Sequence, residues 1–501
     1  MGVWLVILKL DLDSIDDYKR FLKIKTLPNY RFQGRTAWFP DEYASHLGIK
    51  SDVECDADYK PIAGLFDYQR DIARLAIKRK KFAAFIECGY GKTLIGFEFA
   101  RHANKVLAGR KKTLIITPLM VVDQMMDEAS RFYGDRLSVE RVKANRLKDW
   151  MTTPGDVIGI TNYDALTDDV EQGLLGCIVA DESSITKSSY GKHSQQLLKL
   201  GRGLDWKLCM TGTPAPNDRI EFATHAVFLD AFPTINSFLA KFFINRGQTQ
   251  ERWEMKPHAV GAFYRALSHW SIFMSNPSTY GWKDNAASIP PIEVHVHDVP
   301  MTQQQSDIVS RETGMLFATD LGGITNRATM GQLAKGKYKG SDVATNKPQF
   351  IKELVDSWSH EESTIIWCIY NDEQSTMEKM FPDAASIDGQ TPHEKRMELI
   401  ADFQSGRRRI LISKSKVLGF GLNLQVATRH VFSGLQDSYE AFHQCVKRSN
   451  RVGSTRPLSV HIPVTDVERP MIETVLRKAH RIEEDTRVQE ELFKEMSIAV
   501  A

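Results

Sequence analysis

Between residues 65 and 230, short apolar runs alternate with longer stretches whose apolar positions recur at helical spacing. Runs at 82–86, 113–117, 157–161, 177–180 and 208–211 read as strands, and 95–108 and 122–133 as helices. Strands apolar on both faces, alternating with helices, predict βαβ units and a parallel sheet. The rhythm lapses over 217–290, which is rich in Phe, Trp, Asn and Pro, and 288–291 (Ser-Ile-Pro-Pro) reads as a linker. It resumes at 293–299 and continues through 364–369, 385–387, 410–412, 430–432 and 459–462. Residues 468–496 read as one charged helix. The fold class this predicts is α/β: a lobe over 61–287, a second over 288–470, a hinge near 286–291 and a C-terminal helix over 471–501. Residues 1–60 stand apart as a small α+β module.

At 501 residues the chain is long enough for about three domains. It is 42% hydrophobic and 26% charged, which excludes a mostly disordered, collagen-like or disulfide-scaffold protein. Its 65 basic residues against 63 acidic give a net charge of +2, so bulk charge offers no footprint for nucleic acid. Six scattered cysteines include no CxxC pair, which points to a reducing compartment. The apolar opening, residues 2–8, lacks a basic leader and a cleavage site and reads as a first strand. No apolar run approaches the ~18 residues needed to span a bilayer. The expectation is a soluble, cytoplasmic protein, with no membrane partner.

Glu87-Cys88-Gly89-Tyr90-Gly91-Lys92-Thr93 follows the strand at 82–86 and opens a helix. In that setting backbone N–H groups and the helix N-terminus cradle phosphate oxygens. Gly89 and Gly91 shape the loop, Lys92 reaches the β- and γ-phosphates, and the Thr93 hydroxyl takes Mg²⁺. Ile86 stands where the full phosphate-loop pattern has its first Gly, so a Gly-rich turn with a solvated Lys is the competing reading. The strand at 177–180 ends in Asp181-Glu182. Asp181 is placed to hold Mg²⁺, and Glu182 to orient and deprotonate the attacking water. Alone, such a pair is more often a helix cap; behind a phosphate loop it reads as catalytic.

In the second lobe, Gln444, Arg448 and Arg451 fall at i, i+4 and i+7 of an expected helix starting near Ser438, and so project from one face. That face is either a solvated basic surface or a set of guanidinium groups that stabilise charge on a transferring phosphoryl group. The second reading makes hydrolysis depend on lobe closure.

Together these residues resemble a superfamily 2 helicase-type ATPase of the Swi/Snf-like group, over roughly residues 60 to 465. Phe66-Asp67-Tyr68-Gln69 resembles the Q motif, with Gln69 reading adenine. Gly89–Thr93 resembles motif I, Thr117-Pro118-Leu119 with Gln124 and Glu128 motif Ia, and Thr161-Asn162-Tyr163 motif Ib. Asp181-Glu182 resembles motif II and Thr211-Gly212-Thr213-Pro214-Ala215-Pro216-Asn217 motif III. Gly419-Phe420-Gly421-Leu422-Asn423-Leu424-Gln425 resembles motif V, and 444–453 motif VI. The resemblance implies two tandem RecA-like lobes, ATP and Mg²⁺ as cofactors, and Lys92, Glu182, Gln444, Arg448 and Arg451 as the catalytic set. Ser183-Ser184 departs from the usual Ala/Gly-His after Asp-Glu, so coupling through that His does not carry over. The missing long insertions suggest a minimal form of the kind found in phages and bacteria.

In this group nucleic acid crosses the tops of both lobes. The resemblance places Pro118, Asn162 and Thr213 on its backbone in lobe one, and Lys416, Gly419 and Asn423 in lobe two. Basic clusters at 78–81, 141–148, 335–339 and 407–409 are either solvated surface or part of that track. In residues 1–60 basic and aromatic residues interleave, as on surfaces that stack bases. This segment weakly resembles the DNA-recognition module of annealing helicases, with Arg31, Arg35 and Trp38 as candidate contacts. An ordinary small domain with core aromatics is the alternative.

The leading expectation is a monomeric, DNA-stimulated ATPase that moves on duplex or branched DNA in remodelling, annealing or repair. One alternative is a processive strand-separating helicase on DNA or RNA, whose separating hairpin would lie within 217–290. Another is a motor that remodels a protein partner such as RNA polymerase, docked through the N-terminal module or the C-terminal helix.

Overall fold

The computed structural model describes residues 6–11, 13–27, 30–39, 47–48, 59–247, 252–283, 289–313, 324–418, 424–435, 438–451 and 454–498. The chain forms two compact units, one of residues 1–285 with 482–501 and one of residues 286–481.

In the first unit, strands free of internal polar residues bury both faces. Phe82 to Ile86 and Leu114 to Ile116 are fully enclosed. Seven strands form one sheet in the order Ser271–Met274, Lys81–Ile86, Trp206–Thr211, Leu175–Asp181, Lys112–Thr117, Ile158–Asn162 and Val139–Arg141. Every neighbouring pair is parallel. Parallel pairing puts all the strand C-termini on one rim, where open α/β sheets bind ligands. Motifs I, Ia, Ib, II and III each follow or end one of these strands, so the sheet gathers them on that rim.

Residues 217–290, where the strand–helix rhythm lapses, complete this unit. Helices Phe222–Phe228, Ile235–Phe242 and Val260–Trp270 pack Phe222, Phe238, Phe242 and Phe263 into the same core as the sheet. Ser271–Met274 then pairs with the phosphate-loop strand. It was not legible because the helix ending at Trp270 runs into it without a turn residue. A short hairpin, Phe243–Asn245 with Trp253–Met255, stands between two of these helices in the chain.

The N-terminal segment forms an antiparallel sheet, Val6–Lys9, Thr36–Phe39, Arg31–Gln33, against helix Ile15–Lys25. Leu10, Ile24, Leu27, Ala37 and Phe39 fill its core. Phe21, Tyr30 and Phe32 pack against that core in edge and tilted ring contacts of 5.1 and 5.5 Å.

The second unit has six parallel strands in the order Ile292–Asp298, Leu458–Val464, Ala427–Phe432, Ser363–Cys368, Ile410–Lys414 and Ala385–Ile387. Beside its core lies a buried ionic knot. Glu468 receives Lys335 at 2.6 Å and Lys347 at 2.5 Å. Lys335 therefore does not belong to the surface track considered for 335–339.

The chain ends in helix Arg469–Ile498. From Ile482 it belongs to the first unit, where Val488 and Leu492 pack on the core. Arg219 grips Asp485 through Nε at 3.0 Å and Nη2 at 2.5 Å, and the Tyr264 hydroxyl donates to the same carboxylate at 2.6 Å. Gln489 pairs with Ser268, and Glu490 accepts from the Ser275 backbone and hydroxyl. No described helix is long and apolar enough to cross a membrane.

Candidate nucleotide-binding site

The loop after Lys81–Ile86 turns through Gly89 at φ 95° and Gly91 at φ 71°, left-handed conformations open to glycine. Helix Lys92–Leu107 starts at once, and no side chain caps it. Its first N–H groups are thus left for an anion. Lys92 is buried, and its ammonium donates to the Ile86 carbonyl at 3.0 Å. Burial opposes its charge, but Cys88, Glu182, Asp181 and Glu87 outweigh burial and raise its pKa. The lysine stays charged.

Asp181 ends strand Leu175–Asp181, two strands along the sheet from the phosphate-loop strand; it is buried and accepts from the Thr117 hydroxyl at 2.9 Å. The Tyr163 hydroxyl donates to its backbone carbonyl at 2.8 Å. Burial first, then the adjacent Glu182, push the Asp181 carboxyl up to about 7, against the pull of Lys92. A divalent cation would relieve that strain. Two crowded carboxylates beside a hydroxyl-bearing loop suit the preference of Mg²⁺ for oxygen ligands. The residues therefore fit Mg²⁺, which Asp181 and Thr93 would hold. Bound there, the metal would neutralise charge developing on phosphate oxygens.

Glu182 sits at φ 45° and ψ 48°. A non-glycine residue in this left-handed region costs about 1–2 kcal/mol and persists where its surroundings hold it. Its carboxylate accepts from the Thr211 hydroxyl at 3.3 Å, and the Thr213 N–H donates to that hydroxyl at 3.2 Å. Motifs II and III are thus joined side chain to side chain. Asn217, at the end of motif III, donates through its backbone and side chain to Glu221 at 2.9 and 3.0 Å.

Gln69 is buried on helix Asp67–Arg79. Its carbonyl accepts from Phe66 N at 3.0 Å and its amide donates to the Tyr90 carbonyl at 3.1 Å. The structure therefore shows Gln69 bracing the phosphate loop. Thr117 and Tyr163, read from sequence only as parts of motifs Ia and Ib, prove to be the supports of Asp181. Their pairing with a residue 64 or 18 positions away leaves no local sequence signal.

Among the nucleic-acid candidates, Pro118 and Thr213 are buried and Asn162 is half-buried. The Asn162 side chain accepts from Ala165 N, capping a short 3₁₀ turn. Arg35 is exposed, 3.9 Å from Asp13, and Trp38 is half-buried. Arg31 lies on its strand. In the second unit Lys416 is exposed on the short helix Ser415–Leu418, while Gly419 and Asn423 fall outside the described residues.

The helix expected to carry Gln444, Arg448 and Arg451 on one face is shorter than that. It is capped by Ser438, spans Tyr439–Val446 and ends at Lys447. Gln444 is on it, buried; Arg448 and Arg451 lie on the turns beyond, half-buried. Tertiary bonds take the chain out of the helix. Leu424 N donates to the Arg448 carbonyl at 3.0 Å, and the Ser449 hydroxyl donates to the Leu424 carbonyl at 2.8 Å. These bonds join motif V to motif VI. Arg407 and Arg408 both pair with Asp402, so that basic cluster is partly neutralised.

The model of the SNF2-related domain family matches residues 83–347, and that of the helicase conserved C-terminal domain matches residues 346–453. No curated protein matches the chain. Among solved structures, the Sulfolobus solfataricus SWI2/SNF2 ATPase core in complex with dsDNA is similar at 19% identity. That match covers 88% of this chain and 98% of the other, with a TM-score of 0.40. The Sulfolobus solfataricus SWI2/SNF2 ATPase core domain is 20% identical, over 82% of this chain and 88% of the other, with a TM-score of 0.40.

Proposed function

The chain belongs to the SNF2-related family and is an ATP-hydrolysing enzyme of the helicase type, and from that premise we propose that it is a DNA motor. It couples hydrolysis to movement along duplex or branched DNA, in remodelling, annealing or repair. The observation that carries this reading is the Glu182–Thr211–Thr213 chain of hydrogen bonds. It ties the carboxylate that orients water to the segment expected beside nucleic acid, so a shift at one end is felt at the other.

Lys92 and Glu182 are the hydrolytic pair; Gln444, Arg448 and Arg451 are the catalytic candidates that the second unit carries. Asn162 and Lys416 are the backbone contacts most open to test. The near-neutral charge suits a motor that must release its track at every cycle. The protein acts as a monomer in the cytoplasm, of a bacterium or a phage-infected cell. The N-terminal module adds DNA contacts through Arg31, Arg35 and Trp38.

The test is ATPase activity across single-stranded, duplex, forked and RNA ligands at two salt concentrations. Duplex or forked DNA is expected to stimulate hydrolysis; equal rates with and without every nucleic acid would sink the proposal. Lys92→Ala and Glu182→Gln should abolish hydrolysis and leave DNA binding within about twofold.

The hairpin Phe243–Asn245/Trp253–Met255 favours a second reading, strand separation, because a hairpin that is partly exposed, with Ile244 at 40%, is a shape able to wedge a duplex. Displacement of a labelled strand from a tailed duplex distinguishes it from translocation alone.

A further inference from the structure

Ser183, the residue after Glu182, is fully buried, and His225 is 1% exposed. His225 Nε2 and Ser183 Oγ share a hydrogen bond at 3.0 Å. Ser183 Oγ also donates to the Met210 carbonyl at 3.3 Å, one residue before Thr211. The imidazole edge meets the Phe85 ring on the phosphate-loop strand, with centroids 5.3 Å apart. His225 thus touches the motif II turn and the motif I strand from a third element, helix Phe222–Phe228.

That helix follows motif III through the 3₁₀ turn Arg219–Glu221. Glu221, which receives Asn217, ends that turn and stands at the N-cap of the helix that carries His225. One continuous segment therefore carries both the anchor for the end of motif III and the anchor for the turn that presents Glu182. Burial lowers the imidazole pKa to about 4, with the Glu221 and Ser183 backbones as opposing influences. The ring is therefore neutral near pH 7 and works as a hydrogen-bonding strut.

We propose that His225 is a positioning residue for hydrolysis: through Ser183 it holds the left-handed turn that aims Glu182, and it links that turn to motif III. The inference rests on Glu182 being the hydrolytic carboxylate. If the turn relaxes, Glu182 loses its aim on water while the phosphate loop still binds nucleotide. The loss then falls on kcat.

In the full-length protein, His225→Ala and Ser183→Ala are expected to lower DNA-stimulated kcat about tenfold each, the equivalent of about 1.4 kcal/mol. The KM for ATP should stay within about twofold. The double variant should lose little more than either single one, because both remove the same bond. His225→Gln, whose amide nitrogen reaches a similar position, should restore most of the rate. Melting temperatures measured alongside identify unfolded variants; if His225→Ala does not fold, Ser183→Ala and His225→Gln decide the matter. A kcat within twofold of wild type in folded variants overturns the proposal, and so does full additivity, or a change confined to KM. If wild type hydrolyses ATP and Glu182→Gln retains that activity, the reading of Glu182 fails instead.

Discussion

Gly212 shows how tightly the phosphate-loop lysine is enclosed. A Cβ there would lie 3.2 Å from Cys88 Sγ and 3.4 Å from Lys92 Nζ. Gly212→Val is therefore expected to displace the ammonium and weaken ATP binding about tenfold or more, as read by nucleotide titration. Gly91 is constrained twice. Its φ is left-handed, and a Cβ would lie 2.3 Å from Gln69 Nε2. Gly91→Ala should then cost about 1–2 kcal/mol in backbone strain and dislodge Gln69, and a lower melting temperature with weaker nucleotide binding would show it. The glycines, Lys92, Asp181 and Glu182 were legible because phosphate and metal chemistry dictates residue type and spacing. The roles of Gly212, Thr117 and His225 were not, because each depends on a neighbour brought close only by the sheet.

At the level of elements, the same divide recurs. Most of the parallel strands announce themselves as apolar runs, the edge strands Ser271–Met274 and Val139–Arg141 excepted, and helix Val122–Tyr133 matches its expected limits. The motif VI helix does not, because the bonds to Leu424 replace its last turns. The knot at the start of the C-terminal helix was equally hidden, since Lys335, Lys347 and Glu468 are over a hundred positions apart at the extremes. Burial first, with Lys335 beside it, pushes the Lys347 ammonium down to about 8, against Glu468. The two lysines overcome burial to hold Glu468 down to about 2. Removing the carboxylate leaves two buried cations unpaired, which typically costs about 3–5 kcal/mol. Glu468→Gln should lower the unfolding free energy of the second unit, read from urea melts, by about that amount, whereas exposed Lys395→Gln should hardly move it.

For the whole molecule, acid sensitivity follows from two enclosed histidines, one in each unit. Burial lowers His225 to about 4 and His430 to about 3. His430 is wired for neutrality: Trp367 donates to its Nδ1 at 3.3 Å and its Nε2 pairs with Ser449 at 2.8 Å. Below the unfolded value near 6.5, the unfolded chain takes up protons that the folded chain refuses. Stability is therefore full above about 6.5 and falls as pH drops towards 4, by up to about 1.4 kcal/mol per pH unit for each such group. Asp181 acts in the opposite sense, since its raised carboxyl contributes below its unfolded pKa and loses that contribution as pH rises through about 7. The two histidines outweigh it. Urea melts at pH 7.5, 6.0 and 5.0 should show a falling midpoint, and a flat profile would contradict this. At this scale the sequence showed two α/β lobes and an ordered set of motifs. Its net charge of +2 said little, because a sum over 501 residues averages out local clusters such as Arg407 and Arg408 with Asp402.

The return of the last helix to the first unit has a consequence for how the protein is made. A ribosome releases residues 1–285 well before it reaches Asp485, Gln489 and Glu490. At about 5–20 residues per second, the roughly 200 intervening residues take about 10–40 s. Throughout that interval Arg219, Tyr264, Ser268 and Ser275 lack these partners, and the core face under Val488 and Leu492 is uncovered. The nucleotide-binding lobe is therefore the first to be synthesised and the last to be finished.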